Sequence, residues 1–209
     1  QGLEQYLLGV RALENEGGRN LYPLARAAGN LPFGTKGKLE WERVQALAEP
    51  VKDLARTVIP DQVPDSLEAR VNAGPFSISG PVDNVFSSGR AVKDFGTITP
   101  ARLLTQWIFH LVYSAAQDTS GTTVIVGRDP EKKKPAVSFE FKPVNKGKAL
   151  IMIEEIARYF YLGQSRVLTF FCTPCFNMVQ DLSKRGFDLD DASLIEKTHH
   201  QEKIKTIGI

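Results

Sequence analysis

Cysteine is nearly absent from this chain, which holds only Cys172 and Cys175. A four-thiolate zinc site needs a second pair, and His199 and His200 lie 24 or more residues downstream, outside zinc-finger spacing. A redox dithiol calls for an electropositive helix N-terminus, and the plainer expectation is two reduced thiols in a cytosolic protein. Long apolar runs are missing too. Nothing approaches the ~18 residues of a membrane span. The opening QGLEQYLLGV has neither a basic n-region nor an apolar h-region, which argues against a secretory signal. Its lack of Met fits a piece of a longer protein. No G-x-x-x-x-G-K-[ST] occurs, so a P-loop ATP site is excluded. Charge of one sign is not in excess either. With 26 basic and 24 acidic residues the net charge is +2, so any contact with DNA must come from a local patch.

The 209 residues that are present suffice for one sizeable domain, or one with a small addition. Tyr6, Leu7, Val10 and Leu13 fall at helical spacing before Gly17-Gly18. Asn20 can cap a short helix from Leu24 to Ala28 that Gly29 ends, and Leu31-Pro32-Phe33-Gly34 is turn chemistry. Val44, Leu47, Ala48, Val51, Leu54, Ala55 and Val58 form one helical stripe, with a kink or break expected near Glu49 because Pro50 interrupts it. Pro60 and Pro64 bracket a linker. The period then changes: Val71, Phe76, Ile78, Val82 and Val85 belong to strands, Ser87-Ser88-Gly89 is a hairpin turn, and Arg90 to Ile98 is the returning strand. Thr99-Pro100 opens a helix whose apolar face is Leu103, Leu104, Trp107, Ile108, Leu111, Val112 and Ala115. Strands follow at Thr122 to Val126 and Ala136 to Phe141, joined by a charged loop. Lys146 to Leu162 is a helix closed by Gly163, with Glu154 set to pair with Arg158, and Val167 to Phe171 is a short strand or an extended segment. The fold class is α+β, a mixed sheet flanked by helices and preceded by a helical segment. Residues 1–64 are that segment, 65–187 the core, and 188–209 a polar tail or a truncated helical extension to which no structure is assigned.

The hairpin carries the chemistry. Gly80-Pro81-Val82-Asp83 ends one strand, Ala91-Val92-Lys93-Asp94-Phe95-Gly96-Thr97 forms the next, and a helix with Gln106 and His110 follows. This order resembles the PD-(D/E)XK nucleases, in particular the branch found in recombination helicase–nucleases. Those proteins carry a G-x-x-D strand, a D-x-K partner strand and a Gln-x-x-x-Tyr helix. Two carboxylates there hold a divalent cation on the scissile phosphate, and the lysine orients the attacking water. By that pattern Asp83 and Asp94 match the acids and Gln106 the glutamine. Gly96 stands where the lysine belongs, and His110 where the tyrosine does. Lys93 points to the opposite face from Asp94 and cannot replace the lysine. The resemblance therefore implies a nuclease fold without catalysis.

Further segments narrow the resemblance. Leu21-Tyr22-Pro23, Ala28-Gly29-Asn30-Leu31-Pro32-Phe33-Gly34, Gly37-Lys38-Leu39, Trp107-Ile108-Phe109-His110-Leu111, and Phe139 to Val144 with the helix to Gly163 look like the RecC family, the gamma subunits of exodeoxyribonuclease V. The likeness runs from about Leu21 to Asp181 and departs beyond it. It implies a non-catalytic scaffold and DNA-handling domain acting with beta and alpha subunits in double-strand break repair by recombination, in the cytoplasm. No cofactor is implied for this segment, since Mg and ATP are used by the partner subunits. His110 is read as a structural histidine bonded to one of the acids, with a metal ligand as the alternative. For DNA, the candidate contacts are Arg128, Lys132, Lys133, Lys134, Lys142, Lys146 and Lys148, a cluster able to neutralise several phosphates or simply a solvated face. Phe33, Trp41 and Phe86 can stack on bases but fit a core equally. Two further readings stay open: an active metal-dependent nuclease using Asp83 and Asp94, and a protein-interaction module without DNA contact.

Overall fold

A computed structural model of the chain describes residues 22–117, 121–168 and 170–184. It divides into two compact units, Gln1–Arg166 and Val167–Ile209. The first unit opens with helix α1 (Tyr22–Ala27). Gly29, at φ 73°, ends that helix: its N–H bonds Arg26 O at 3.1 Å and the Asn30 N–H bonds Ala25 O at 3.1 Å, the double bond of a left-handed helix stop. Helix α2 (Thr35–Val58) follows and, of the expected kink or break at Pro50, shows no break. Pro50 offers no N–H to the Ala46 carbonyl. The stripe of Val44, Ala48, Val51 and Ala55, buried against the sheet, holds the helix on both sides of it.

Five strands form one sheet in the order β1 (Asp65–Ala73), β2 (Phe76–Phe86), β3 (Gly89–Thr97), β4 (Thr122–Arg128) and β5 (Val137–Phe141). Neighbours are antiparallel except β3 and β4. A parallel pair needs a crossover, here made by helix α3 (Pro100–Ala116). Thr99 caps it, its hydroxyl oxygen accepting from the Arg102 N–H at 3.4 Å, with Pro100 at the first helical position. Helix α4 (Lys146–Gly163) is capped by Asn145, whose side-chain oxygen accepts from the Lys148 N–H at 2.8 Å. Glu154 and Arg158 pair on it as expected.

Alternation along the strands sorts the two faces. Val124 and Val126 pack with Phe95 against α2. Thr123, on the opposite side of β4, meets His110 of α3. Ala69, Val71 and Ala73 of β1 and Val82 of β2 pack with Leu111, Val112, Tyr113 and Ala115 of α3 and with Ala149 and Ile153 of α4. The architecture is thus a mixed sheet between α2 and the pair α3 and α4. On α3 the burial differs from a simple stripe: Ile108 is 36% exposed, while the turn from His110 to Ala115 is buried all round.

The second unit contains helix α5 (Cys172–Lys184), which the sequence did not lead one to expect. Cys172 and Cys175 are free thiols, and the Cys175 N–H bonds Phe171 O at 3.0 Å in the helix's first turn. The expected helix around Tyr6–Leu13, the Asn20 cap and the tail 188–209 lie outside the described residues.

Candidate functional site

The site lies where β3 leaves β2 and leads into α3. β2 and β3 pair only at Val85↔Arg90 and Phe86↔Gly89. Just beyond, Asn84 adopts φ 63°, a left-handed conformation in which Asn is among the few tolerated residues. Asp83 and Asp94 therefore sit on neighbouring strands but past the end of their ladder. Each carboxylate has its own partners. Asp83 Oδ1 accepts from the Ser66 hydroxyl of β1 at 2.8 Å. Asp94 Oδ1 accepts from the Gly96 N–H at 2.8 Å, and its Oδ2 forms an ion pair with Arg102 Nη1.

Three side chains one helical turn apart on α3, Arg102, Gln106 and His110, reach the sheet in register. Arg102 takes Asp94. Gln106 Oε1 accepts from Arg90 Nη2 at 2.9 Å. Arg90 is 5% exposed, donates Nε–H to the Asp83 carbonyl at 3.1 Å and lies 5.2 Å from the centre of the Phe109 ring. Its Nη1 is buried and meets no protein acceptor. Burial pushes its pKa down to about 10, and the Asp83 carboxylate works against that fall. It remains a cation at neutral pH, as an arginine with fixed acceptors should.

His110 is fully buried, but neither acid is its partner. Its Nε2–H donates to the Lys142 carbonyl at 3.0 Å, so the Thr123 hydroxyl donates to Nδ1 at 2.9 Å. A carbonyl can only accept, which fixes this tautomer of the neutral ring. Trp107 stacks on it at 5.3 Å between centroids, and Phe141 closes another side at 5.6 Å. Burial first, and then the Arg90 charge, hold the imidazole pKa below its ordinary value against the bond to Lys142. The histidine ties α3 to β4 and to the chain just after β5.

Lys93 lies on the α2 side of β3, its Nζ 5.5 Å from the centre of the Phe95 ring, opposite in face to Asp94. Among the described residues no group of three His, Cys, Asp or Glu side chains comes together. With Arg102 on Asp94 and Arg90 beside Asp83, the arrangement does not fit a divalent cation. Sequence reading named Asp83, Asp94, Gly96, Gln106 and His110 but passed over Arg90, Arg102 and Ser66. The available signal was the spacing of Arg102, Gln106 and His110, one polar residue per turn along one face of a largely apolar helix.

The basic segment is a separate surface. Lys132, Lys133, Lys134, Lys142, Lys146 and Lys148 are exposed. The Asp129 carboxylate organises the loop, accepting N–H bonds from Lys134 and Lys133 at 3.0 Å and from Glu131 at 2.9 Å. The bonds from Lys134 and Glu131 lead in holding its pKa down. Lys133 pairs with Glu131. Arg128 is drawn into the sheet, donating Nε–H to the Phe95 carbonyl at 2.8 Å. Between residues 128 and 148, seven basic side chains face three acidic ones, so the local charge is positive where the whole is nearly balanced.

A model of the RecC C-terminal domain matches residues 1–183. The RecBCD enzyme subunit RecC of Escherichia coli (strain K12) is 26% identical over 145 residues, 67% of this chain. The matched stretch spans 13% of the length of that relative.

Proposed function

The chain belongs to the RecC C-terminal domain family, and we propose from this that it is a non-catalytic scaffold and DNA-handling domain of the RecBCD (exodeoxyribonuclease V) helicase–nuclease complex. In this reading it works in the cytoplasm with the beta and alpha subunits in repair of double-strand breaks by recombination. Mg and ATP serve those subunits and not this domain. The element order β1–β2–β3–α3 supports a nuclease-like ancestry for the core, since it is the strand–hairpin–strand–helix order of the PD-(D/E)XK resemblance.

The observation that carries the non-catalytic reading is the ion pair of Asp94 with Arg102 beside Gly96. Metal-assisted phosphodiester hydrolysis needs a cation on the carboxylates and a group to orient or deprotonate water. Asp94 already has a fixed counter-charge, and an arginine guanidinium does not deprotonate in proteins and so is no base. Incubation of linear DNA with the chain and its Asp83→Ala variant, in magnesium or manganese, tests the proposal. Neither is expected to cut; cleavage by the chain that disappears in Asp83→Ala would overturn the reading.

The scaffold role finds support at the end of α4. Tyr159, Phe160 and Tyr161 are 63–71% exposed. Beside them, Pro75, Phe76, Arg158, Tyr161 and Leu162 line a shallow recess of about 430 Å³. Aromatics with an arginine at the edge are the composition favoured at protein–protein contacts.

A further inference from the structure

The space at Gly96 is already filled. A Cβ built there would lie 2.5 Å from Arg102 Nη1, 2.6 Å from its Cζ and 2.7 Å from its Nη2. Carbon atoms do not pack that closely. A side chain at position 96 could be housed only by moving the Arg102 guanidinium, and that guanidinium is the partner of Asp94 Oδ2. The other oxygen of Asp94 accepts the Gly96 N–H. Glycine at 96, aspartate at 94 and arginine at 102 thus form one interlocked unit between the last residues of β3 and the first turn of α3.

We propose that Arg102 is the resident counter-cation of this site: it takes both the volume of a side chain at position 96 and the charge that a divalent metal would bring to Asp94. This inference rests on the non-catalytic reading above. It adds that the Arg102 guanidinium, the movable end of its side chain, keeps its place on Asp94 by using the space a glycine at 96 leaves open. The cation is permanent, because guanidinium keeps its proton at any physiological pH. Supplied by a helix, it fixes the start of α3 to the end of β3, which an exchangeable ion would do only when bound. Arg102 is accordingly a positioning residue. Arg90 does the equivalent beside Asp83, through that residue's carbonyl and Gln106.

The coupling is one of space and pairing. Gly96 is absent from the glycines held at positive φ, so alanine is compatible with its backbone. Gly96→Ala should cost stability only by driving the guanidinium off Asp94. The test is a double-mutant cycle read by thermal unfolding in wild-type, Gly96→Ala, Arg102→Ala and the double variant. Gly96→Ala is expected to lower Tm by roughly 2–8 °C in the wild-type background, as for loss of one charged hydrogen-bonded contact. In the Arg102→Ala background it should lower Tm by about 1 °C or less. If Arg102→Ala does not fold, Arg102→Met, whose side chain stops before the guanidinium begins, serves the same cycle.

Equal losses in the two backgrounds would overturn the proposal. Manganese titration of the wild-type chain supplies a second arm: no binding is expected at millimolar metal. Binding that disappears in Asp94→Asn would equally overturn it, since the metal would then occupy the place assigned to Arg102. Failure here is distinguishable from failure of the functional reading. DNA cleavage lost in Asp83→Ala removes the functional reading and this inference with it, whereas uncoupled substitutions without cleavage remove only this inference.

Discussion

A buried imidazole with two fixed partners is a sensor of pH whether or not it does chemistry. His110 accepts from Thr123 at Nδ1 and donates to Lys142 from Nε2, and burial and the nearby Arg90 charge disfavour its protonated form. The unfolded chain protonates this residue near the ordinary value of about 6.5, while the folded chain resists until lower pH. Below about 6.5 the unfolded state therefore binds the extra proton, and stability contributed by the neutral ring is lost as pH falls toward the folded pKa. The limiting slope for one proton is about 1.4 kcal/mol per pH unit. Urea unfolding at pH 7.0, 6.0 and 5.0 should show that loss in wild-type and a flatter dependence in His110→Gln. Identical slopes would mean that His110 titrates no differently folded than unfolded. The existence of a histidine anchor was legible in W-x-x-H-L, but its partners were not. Thr123 and Lys142 are 13 and 32 residues away, brought in by β4 and by the turn after β5. No local pattern encodes them.

At the scale of elements, the informative case is Pro50. Local chemistry says a proline sixteen residues into a helix should kink or break it, and α2 is unbroken from Thr35 to Val58. Tertiary burial outweighs the local penalty. Val44 and Ala48 before the proline, and Val51 and Ala55 after it, lie on one side of α2 against Phe95 and Val126. Breaking the helix would expose one half of that stripe. The missing hydrogen bond remains a cost, so Pro50→Ala should stabilise the chain. A proline in a helix interior costs about 3 kcal/mol relative to alanine, and the greater freedom of the unfolded alanine chain takes back roughly 0.4–1 kcal/mol. Allowing for accommodation already made by the helix, a gain of about 1–2 kcal/mol is expected, or a Tm rise of roughly 2–8 °C. An unchanged or lower Tm would indicate that the proline ring makes contacts worth as much as the bond it forfeits. Most other elements were readable because their signals are local: Ser87-Ser88-Gly89, Thr99-Pro100 and Gly29 each sit at an element boundary. Helix α5 escaped notice because its run, Cys172–Lys184, contains a proline and few large apolar residues. The strand order also needed the fold, since sequence alone does not say that β4 runs parallel to β3.

For the molecule as a whole, a net charge of +2 conceals an uneven distribution. Residues 128–148 hold seven basic and three acidic side chains, and the six lysines among them are exposed. The geometry also discounts part of this surface. Arg128 Nε–H is committed to the Phe95 carbonyl, and Lys133 pairs with Glu131. If the proposed DNA-handling role is right, the remaining lysines should act by displacing counterions from phosphates. Log affinity for duplex DNA would then fall linearly with log salt, with a slope of about −0.9 per phosphate neutralised. Lys134→Gln, Lys142→Gln and Lys148→Gln together should reduce the magnitude of that slope by about 1 per lysine in contact. They should weaken binding to all sequences alike, because phosphate contacts carry no base information. Fluorescence anisotropy of a labelled duplex from about 50 to 200 mM salt measures both quantities. A shallow slope that the triple variant leaves unchanged would assign the lysines to solvation alone. The exposed Tyr159, Phe160 and Tyr161 at the end of α4 would then be the better guide to what this domain holds, and that would be another protein surface rather than DNA.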